Sequence, residues 1–195
     1  LLEQSAFRII VGVAKYAVFA NLCKQLAFEN LFEDSRYHPQ IDLAISSVAY
    51  FLYLYCNFSG FCDLVIGTAG ILGIEVAENF DNPFAARNVK DFWNRWHITL
   101  SQYMRDMVFT PLTKFLVSSF GPKSANHAIA FSITTVFLLV GVWHGIAWHF
   151  FWFGAAHALG VVTNHYYTIF LKNFLGKQRY KAYNESHLIQ AVART

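Results

Sequence analysis

From Ser124 to Leu171 the chain runs for 48 residues without an Asp, Glu, Lys or Arg. At about 1.5 Å per helical residue this stretch reaches roughly 70 Å, enough to cross a hydrocarbon layer of about 30 Å twice. Two membrane helices are expected, at 126–144 and 147–171. Of the 195 residues only 14% are charged and 55% are hydrophobic, whereas a soluble domain carries about 25% charge. Lys123 precedes the block, and Lys172, Lys177, Arg179 and Lys181 follow it in a basic tail, 172–195. The excess of positive charge in the tail predicts that it lies on the cytoplasmic side.

A second apolar block, Ile41 to Ile74, is interrupted by Asn57-Phe58-Ser59-Gly60-Phe61-Cys62-Asp63. Ser and Asp there can cap free backbone N–H groups, which predicts a break between helices at 41–56 and 60–74. An earlier helix, 5–28, carries Lys15 and Lys24, which suits a helix packed inside the protein or near the interface better than one exposed to lipid. The polar segment 75–113 separates the apolar blocks. In it, Asn79-Phe80-Asp81-Asn82-Pro83-Phe84 reads as a turn. A helix is expected to open at Asn88, capped with Asp91, and to present Phe92, Trp96, Leu100, Tyr103 and Met107 as one continuous apolar face. Thr110-Pro111 is expected to end it. With Arg87, Lys90, Asp91, Arg95, Arg105 and Asp106 along it, this helix at 88–109 is interfacial or re-entrant rather than a bare span. The chain thus reads as an all-α, polytopic transmembrane helix bundle, a single membrane domain that is a piece of a longer protein.

Composition excludes several functions. Net charge is +3, from 15 basic and 12 acidic residues without a long basic run, so no nucleic-acid partner is expected. Cys23, Cys56 and Cys62 form neither a disulfide framework nor a CxxC pair. The chain lacks a GxSxG elbow, a P-loop and a Rossmann fingerprint. Histidine is the functional side chain in unusual supply: eight in all, five of them, His127, His144, His149, His157 and His165, inside the charge-free block. A neutral imidazole is tolerated in apolar surroundings and still accepts a proton. His144 and His157, thirteen residues apart, fall about 220° apart around one helix and would not share a metal. No metal site is expected; a haem held by histidines on facing helices stays open on spacing alone. His127, His149 and His165 read as structural, and His38 and His187 as solvent residues. His144 stands out because Gly141 and Gly145 remove side chains from beside it. His97 stands out among indoles, with Asn94 and Ser101 as potential hydrogen-bond partners.

Four segments carry a resemblance. Phe58-Ser59-Gly60-Phe61-Cys62-Asp63, Asn79-Phe80-Asp81-Asn82-Pro83-Phe84, Asp91-Phe92-Trp93-Asn94-Arg95-Trp96-His97-Ile98-Thr99-Leu100-Ser101 with Arg105-Asp106, and Val142-Trp143-His144-Gly145 together resemble, in order and spacing, the signatures of the membrane-bound O-acyltransferase family. The likeness is to the branch of the teichoic-acid D-alanyl transferase and the alginate O-acetyltransferase, with the Asn-Phe-Asp-Asn-Pro-Phe and Phe-Trp-Asn-Arg-Trp-His phrases leaning to the D-alanyl side. It covers the C-terminal portion of such a protein. Cys62 departs from the pattern, and the stretch Met104 to Leu112 lacks the glycine-rich sequel of alginate-type members.

The resemblance implies that His144 is the active-site histidine, His97 the second polar residue, and His157 a further histidine of the branch. Trp93, Trp96 and Trp143 would exclude water, Asn94 and Ser101 would support His97, and Arg105 with Asp106 would brace the helix by a local ion pair or meet an acidic carrier. The implied reaction transfers an acyl group, D-alanyl or acetyl, from a thioester to a hydroxyl of a cell-envelope polymer in the bacterial cytoplasmic membrane. No resident cofactor is expected, since acyl-phosphopantetheine or acyl-CoA is a cosubstrate. Expected partners are membrane lipid, an acyl carrier protein or other thioester donor, the glycan acceptor and the remaining N-terminal half of the same protein. The isolated piece, lacking the helices that enclose the tunnel, is expected to be inactive. The competing reading is a transporter or exporter of an envelope precursor whose histidines line a polar path.

Overall fold

The computed structural model describes residues 2–27 and 39–185, so His38, His187 and the last part of the basic tail lie outside the described residues. The described residues are helical, joined by short turns, and carry no strand beyond one isolated bridge between Phe80 and Trp96. Three segments, Leu2–Gln25, Gln40–Ile71 and Pro122–His144, are long and apolar enough to cross a membrane. The chain forms two compact units, 1–79 and 80–195.

In the first unit, α1 (Leu2–Val13) passes through a π-helical turn, Ala14–Phe19, into α2 (Ala20–Gln25), and all three pack on α3 (Pro39–Ile71). The break expected between 56 and 60 does not occur, and α3 continues through it. Residues chosen as caps serve helix packing instead. A Cβ on Gly60 would stand 2.8 Å from the Tyr16 nitrogen, and one on Gly12 would stand 2.9 Å from the Gly60 oxygen, so the two glycines let the backbones touch. Asp63 faces α1 rather than a helix end. Its carboxylate accepts from Arg8 Nε at 3.0 Å and Lys15 Nζ at 2.8 Å, while Arg8 also pairs with Glu78. Lys15 is held against α3 by this pairing.

Removing the Asp63 charge leaves Lys15 without its carboxylate, while Arg8 keeps Glu78. The cost of breaking a buried pair is about 3–5 kcal/mol, reduced here because the Arg8 and Lys15 side chains are 31% and 28% exposed. Asp63→Asn is expected to lower the stability of the full-length protein by about 2 kcal/mol. Thermal unfolding in detergent measures it; an unchanged midpoint would show that the pairing adds nothing.

In the second unit a 3-10 turn, Pro83–Ala85, follows Asn82, whose φ of 43° is left-handed, as the expected turn requires. Then come α4 (Val89–Arg95), α5 (Ile98–Met104), a π-helical turn (Arg105–Phe109) and α6 (Thr110–Phe120). The expected single helix at 88–109 is therefore broken at Trp96 and His97, and Pro111 does not stop it. Pro111 sits in the first turn of α6, where a missing N–H costs nothing. α7 (Ala125–His144) and α8 (Trp148–Glu185, bent at Gly176 where φ is 72°) form a tight pair. α7 matches the expected span. α8 forms where 147–171 is expected, but with His149, His157, Asn164 and His165 along it, it is not among the three segments apolar enough to span. The first half of the basic tail continues α8.

Two glycines bring α7 and α8 together. A Cβ on Gly141 would lie 2.5 Å from the Phe150 carbonyl oxygen, and one on Gly154 would lie 2.4 Å from that of Phe137. The pairings of 141 with 150 and 137 with 154 fix an antiparallel register. Farther along, Tyr166 Oη and His127 Nδ1 meet at 2.9 Å, which gives His127 the structural place expected of it.

Candidate active site

The site is built on the broken helix. Asn88 adopts extended backbone and its Oδ1 accepts the Asp91 N–H at 2.9 Å, the expected cap. Asp91 in turn accepts the Arg87 N–H at 2.9 Å and Arg95 Nε at 3.0 Å. Burial pushes the Asp91 carboxyl up, but the Arg87 amide and the Arg95 guanidinium outweigh it and hold the group below its ordinary value. Arg95 also reaches the Asp81 carbonyl at 3.3 Å, and the Asp81 N–H donates to the Arg95 carbonyl at 3.0 Å. This clasp ties the Asn79–Phe84 turn to the end of α4. Around it Trp96 meets Phe80 edge-on at 5.1 Å and stacks on Phe92 at 5.4 Å.

With Trp96 extended and His97 at φ 45°, ψ 57°, the chain turns sharply before α5. Left-handed backbone costs a residue with a side chain about 1 kcal/mol or more, and such strain gathers at functional sites. His97→Gly is therefore expected to be more stable than His97→Ala by about 1 kcal/mol. Equal unfolding midpoints of the two variants in the full-length protein would show that His97 carries no backbone strain.

The Ser101 N–H donates to the His97 carbonyl at 3.0 Å, and Ser101 Oγ donates to the Trp93 and Trp96 carbonyls at 3.2 and 3.4 Å. Ser101 thus stitches the break closed from the α5 side. Asn94 is taken by Arg105, whose Nη2 donates to Asn94 Oδ1 at 3.2 Å. Arg105 therefore braces α4 against the π-helical turn, and among the described residues it makes no ion pair with Asp106. The brace expected of the pair is made by Arg105 and Asn94 instead.

His144 ends α7, with Trp143 at 4.7 Å, Phe153 edge-on at 5.7 Å and Phe150 stacked at 6.2 Å. Gly145 permits this: a Cβ there would lie 2.4 Å from the Phe150 ring. The phenylalanines are the flanks that sequence reading missed; Gly145 was the signal that a bulky ring crowds this turn. His157 lies one ring away, 4.5 Å from Phe153 and 5.0 Å from Trp93. Trp93 closes the row by meeting Phe137 at 5.0 Å. A path of rings runs from His144 through Phe153 and His157 to Trp93 on the broken helix.

His97 and His144, 47 positions apart in sequence, are close enough in space for charge on His144 to act on His97. Burial first, and that charge second, hold the His97 imidazole below its ordinary value of 6.5, so it is neutral at neutral pH. A separate cavity of about 450 Å³ is lined by Trp93, Asn94, Ser101 and Arg105 from the expected set, and by Lys90 and His165. His97, His144 and His157 do not line it. Among the described residues no three His, Cys, Asp or Glu side chains gather as a metal site.

A neutral imidazole here can exchange a proton with a hydroxyl. The sequence profile of the MBOAT, membrane-bound O-acyltransferase family, matches residues 6–190. A peptidoglycan O-acetyltransferase of Helicobacter pylori is 31% identical over 169 residues, 86% of this chain and 30% of that protein. A teichoic acid D-alanyltransferase of Bacillus subtilis is 37% identical over 110 residues, 56% of this chain and 28% of that protein. A probable alginate O-acetylase of Pseudomonas putida is 33% identical over 131 residues, 63% of this chain and 26% of that protein. The chain therefore spans less than a third of the length of these relatives.

Proposed function

Because the chain belongs to the membrane-bound O-acyltransferase family, we propose that the protein it is part of transfers an acyl group from a thioester to a hydroxyl of a cell-envelope polymer. The reading is supported above all by the family match over residues 6–190, and the charge of His144 acts on the His97 ring. His144 acts as general base. As the acceptor oxygen bonds to the thioester carbonyl carbon, a ring nitrogen of His144 takes the hydroxyl proton. The tetrahedral intermediate then expels sulfur, the C–S bond breaks, and the imidazolium returns the proton to the leaving thiolate. The products are an ester and a free thiol. A positioned base of this kind contributes about 10²–10⁴-fold.

His97, neutral and set by its left-handed backbone, donates a hydrogen bond to the carbonyl oxygen as negative charge builds on it. Ser101 and the Arg105–Asn94 brace hold that turn in place. Trp93, Trp96 and Trp143 keep water from the thioester. The acyl donor, a phosphopantetheine or coenzyme A thioester, is a cosubstrate, delivered by an acyl carrier protein or an equivalent donor from the cytoplasmic face of a bacterial inner membrane. His157, among Phe153, Phe137 and Trp93, supports the His144 wall.

The names of the relatives divide the acyl group between acetyl and D-alanyl. Full-length protein in membranes, given thioesters of each with an envelope polymer, should form a polymer ester and release one thiol per ester. Passage of the polymer or the acyl compound across the membrane with no new ester would replace this reading with transport.

A further inference from the structure

His97 stabilises an oxyanion only if its imidazole is held where the charge develops, and the break between α4 and α5 sets that position. In an unbroken α-helix the Arg95 carbonyl would accept from the N–H four residues further on. Here it accepts from the Asp81 N–H at 3.0 Å, Trp96 is extended at φ −108°, ψ 127°, and His97 follows at φ 45°. The residue two places before His97 is thus the last one the helix controls.

The Arg95 side chain doubles that link. Its Nη1 donates to the Asp81 carbonyl at 3.3 Å and lies 3.5 Å from Asp81 Oδ2, so residues 81 and 95 are joined in both directions. Its Nε donates to Asp91 Oδ1 at 3.0 Å. Asp91 is itself fixed at the start of α4, where its N–H donates to Asn88 Oδ1 and its Oδ2 accepts the Arg87 N–H, both at 2.9 Å. The guanidinium plane is therefore oriented from one end by Asp91 and spent at the other on Asp81. A lysine ammonium carries its donors on a single atom at the end of a flexible stem and does not reproduce that planar fork. The Arg95 side chain is 27% exposed, and ion pairs at such exposure add little to stability. Direction is what the fork supplies.

We propose that Arg95 is a positioning residue for acyl transfer: its guanidinium, oriented by Asp91 and locked on the Asp81 carbonyl, holds the Trp96–His97 turn so that the His97 ring meets the oxyanion. The inference rests on the role given to His97 in the proposed function.

The test is a double-mutant cycle in the full-length protein in membranes, with ester formation and thiol release read together for the parent, Arg95→Lys, His97→Ala and the pair. Arg95→Lys should lower kcat roughly tenfold, with KM for the thioester within about twofold of the parent and the unfolding midpoint little changed. In the His97→Ala background the same substitution should cost less than about twofold, because the ring it positions is gone. Asp91→Asn, which keeps the side-chain shape and removes the charge that orients the fork, should show the same dependence on background with a smaller fall, and it serves if Arg95→Lys does not fold. An equal fall in both backgrounds would make Arg95 a structural residue only, and an unchanged kcat in Arg95→Lys or in His97→Ala would remove the positioning role; each overturns the assignment. Ester formation by the parent tests the acyltransferase reading by itself, so a failed cycle with an active parent discards the role of Arg95 and leaves His144 standing.

Discussion

Replacing His144 with alanine in the full-length protein lowers acyl transfer at least about a hundredfold, with expression and membrane insertion near the parent level. The loss is large because the rings packed on His144, those of Trp143, Phe150 and Phe153, accept no proton. The fold survives because His144 is the last residue of α7 and is exposed, so trimming it removes little packing. Ester formation and thiol release are measured together in membranes. Retention of more than about a tenth of the parent rate is far above what loss of a base allows and would reassign His144. His97→Ala gives the companion result, a smaller loss of rate, because a hydrogen-bond donor to the oxyanion is removed and the base is kept.

Gly154→Ala should be the most damaging small substitution in the second unit. The new methyl would lie 2.4 Å from the Phe137 carbonyl oxygen, 3.2 Å from its carbon and 3.3 Å from Leu138 Cα. All three are backbone atoms, so no side chain can swing aside and α7 must separate from α8. Overpacking of this kind costs about 3 kcal/mol. Separation also moves His157, on α8, away from Trp93 and Phe137, so activity falls with stability. Thermal unfolding of the full-length variant measures the first effect and ester formation the second. A variant with the parent midpoint would show that the helices tolerate a wider spacing. Gly160→Ala is the control, because its Cβ meets only the Val89 side chain, at 3.4 Å.

Several elements were legible in the sequence because their causes are local. The charge-free block marks α7 and the start of α8, since lipid-facing helices exclude unpaired charge. The Asn88 cap is written in two residues three apart, and the structure makes that hydrogen bond. The break expected at 57–63 and the unbroken helix expected at 88–109 fail for opposite reasons. At 57–63, Ser59, Gly60 and Asp63 resemble a capping sequence, yet α1 and the π-helical turn after it supply close backbone contact for Gly60 and two cations for Asp63, so the helix continues. At 96–97 the apolar spacing is helical, but the Arg95 clasp on Asp81 and the Trp96 contact with Phe80 outweigh it and pull the chain out of register.

The order of motifs and the scarcity of charge alone determined the membrane class, the family and the two imidazoles worth testing, because each rests on residue type and spacing along the chain. Only tertiary packing decided that His97 would be left-handed and that phenylalanines would frame His144. Those features arise from contacts made across turns, between Phe150, Phe153 and His144 and between Asp81 and Arg95, and spacing along a chain does not record the distance across a fold.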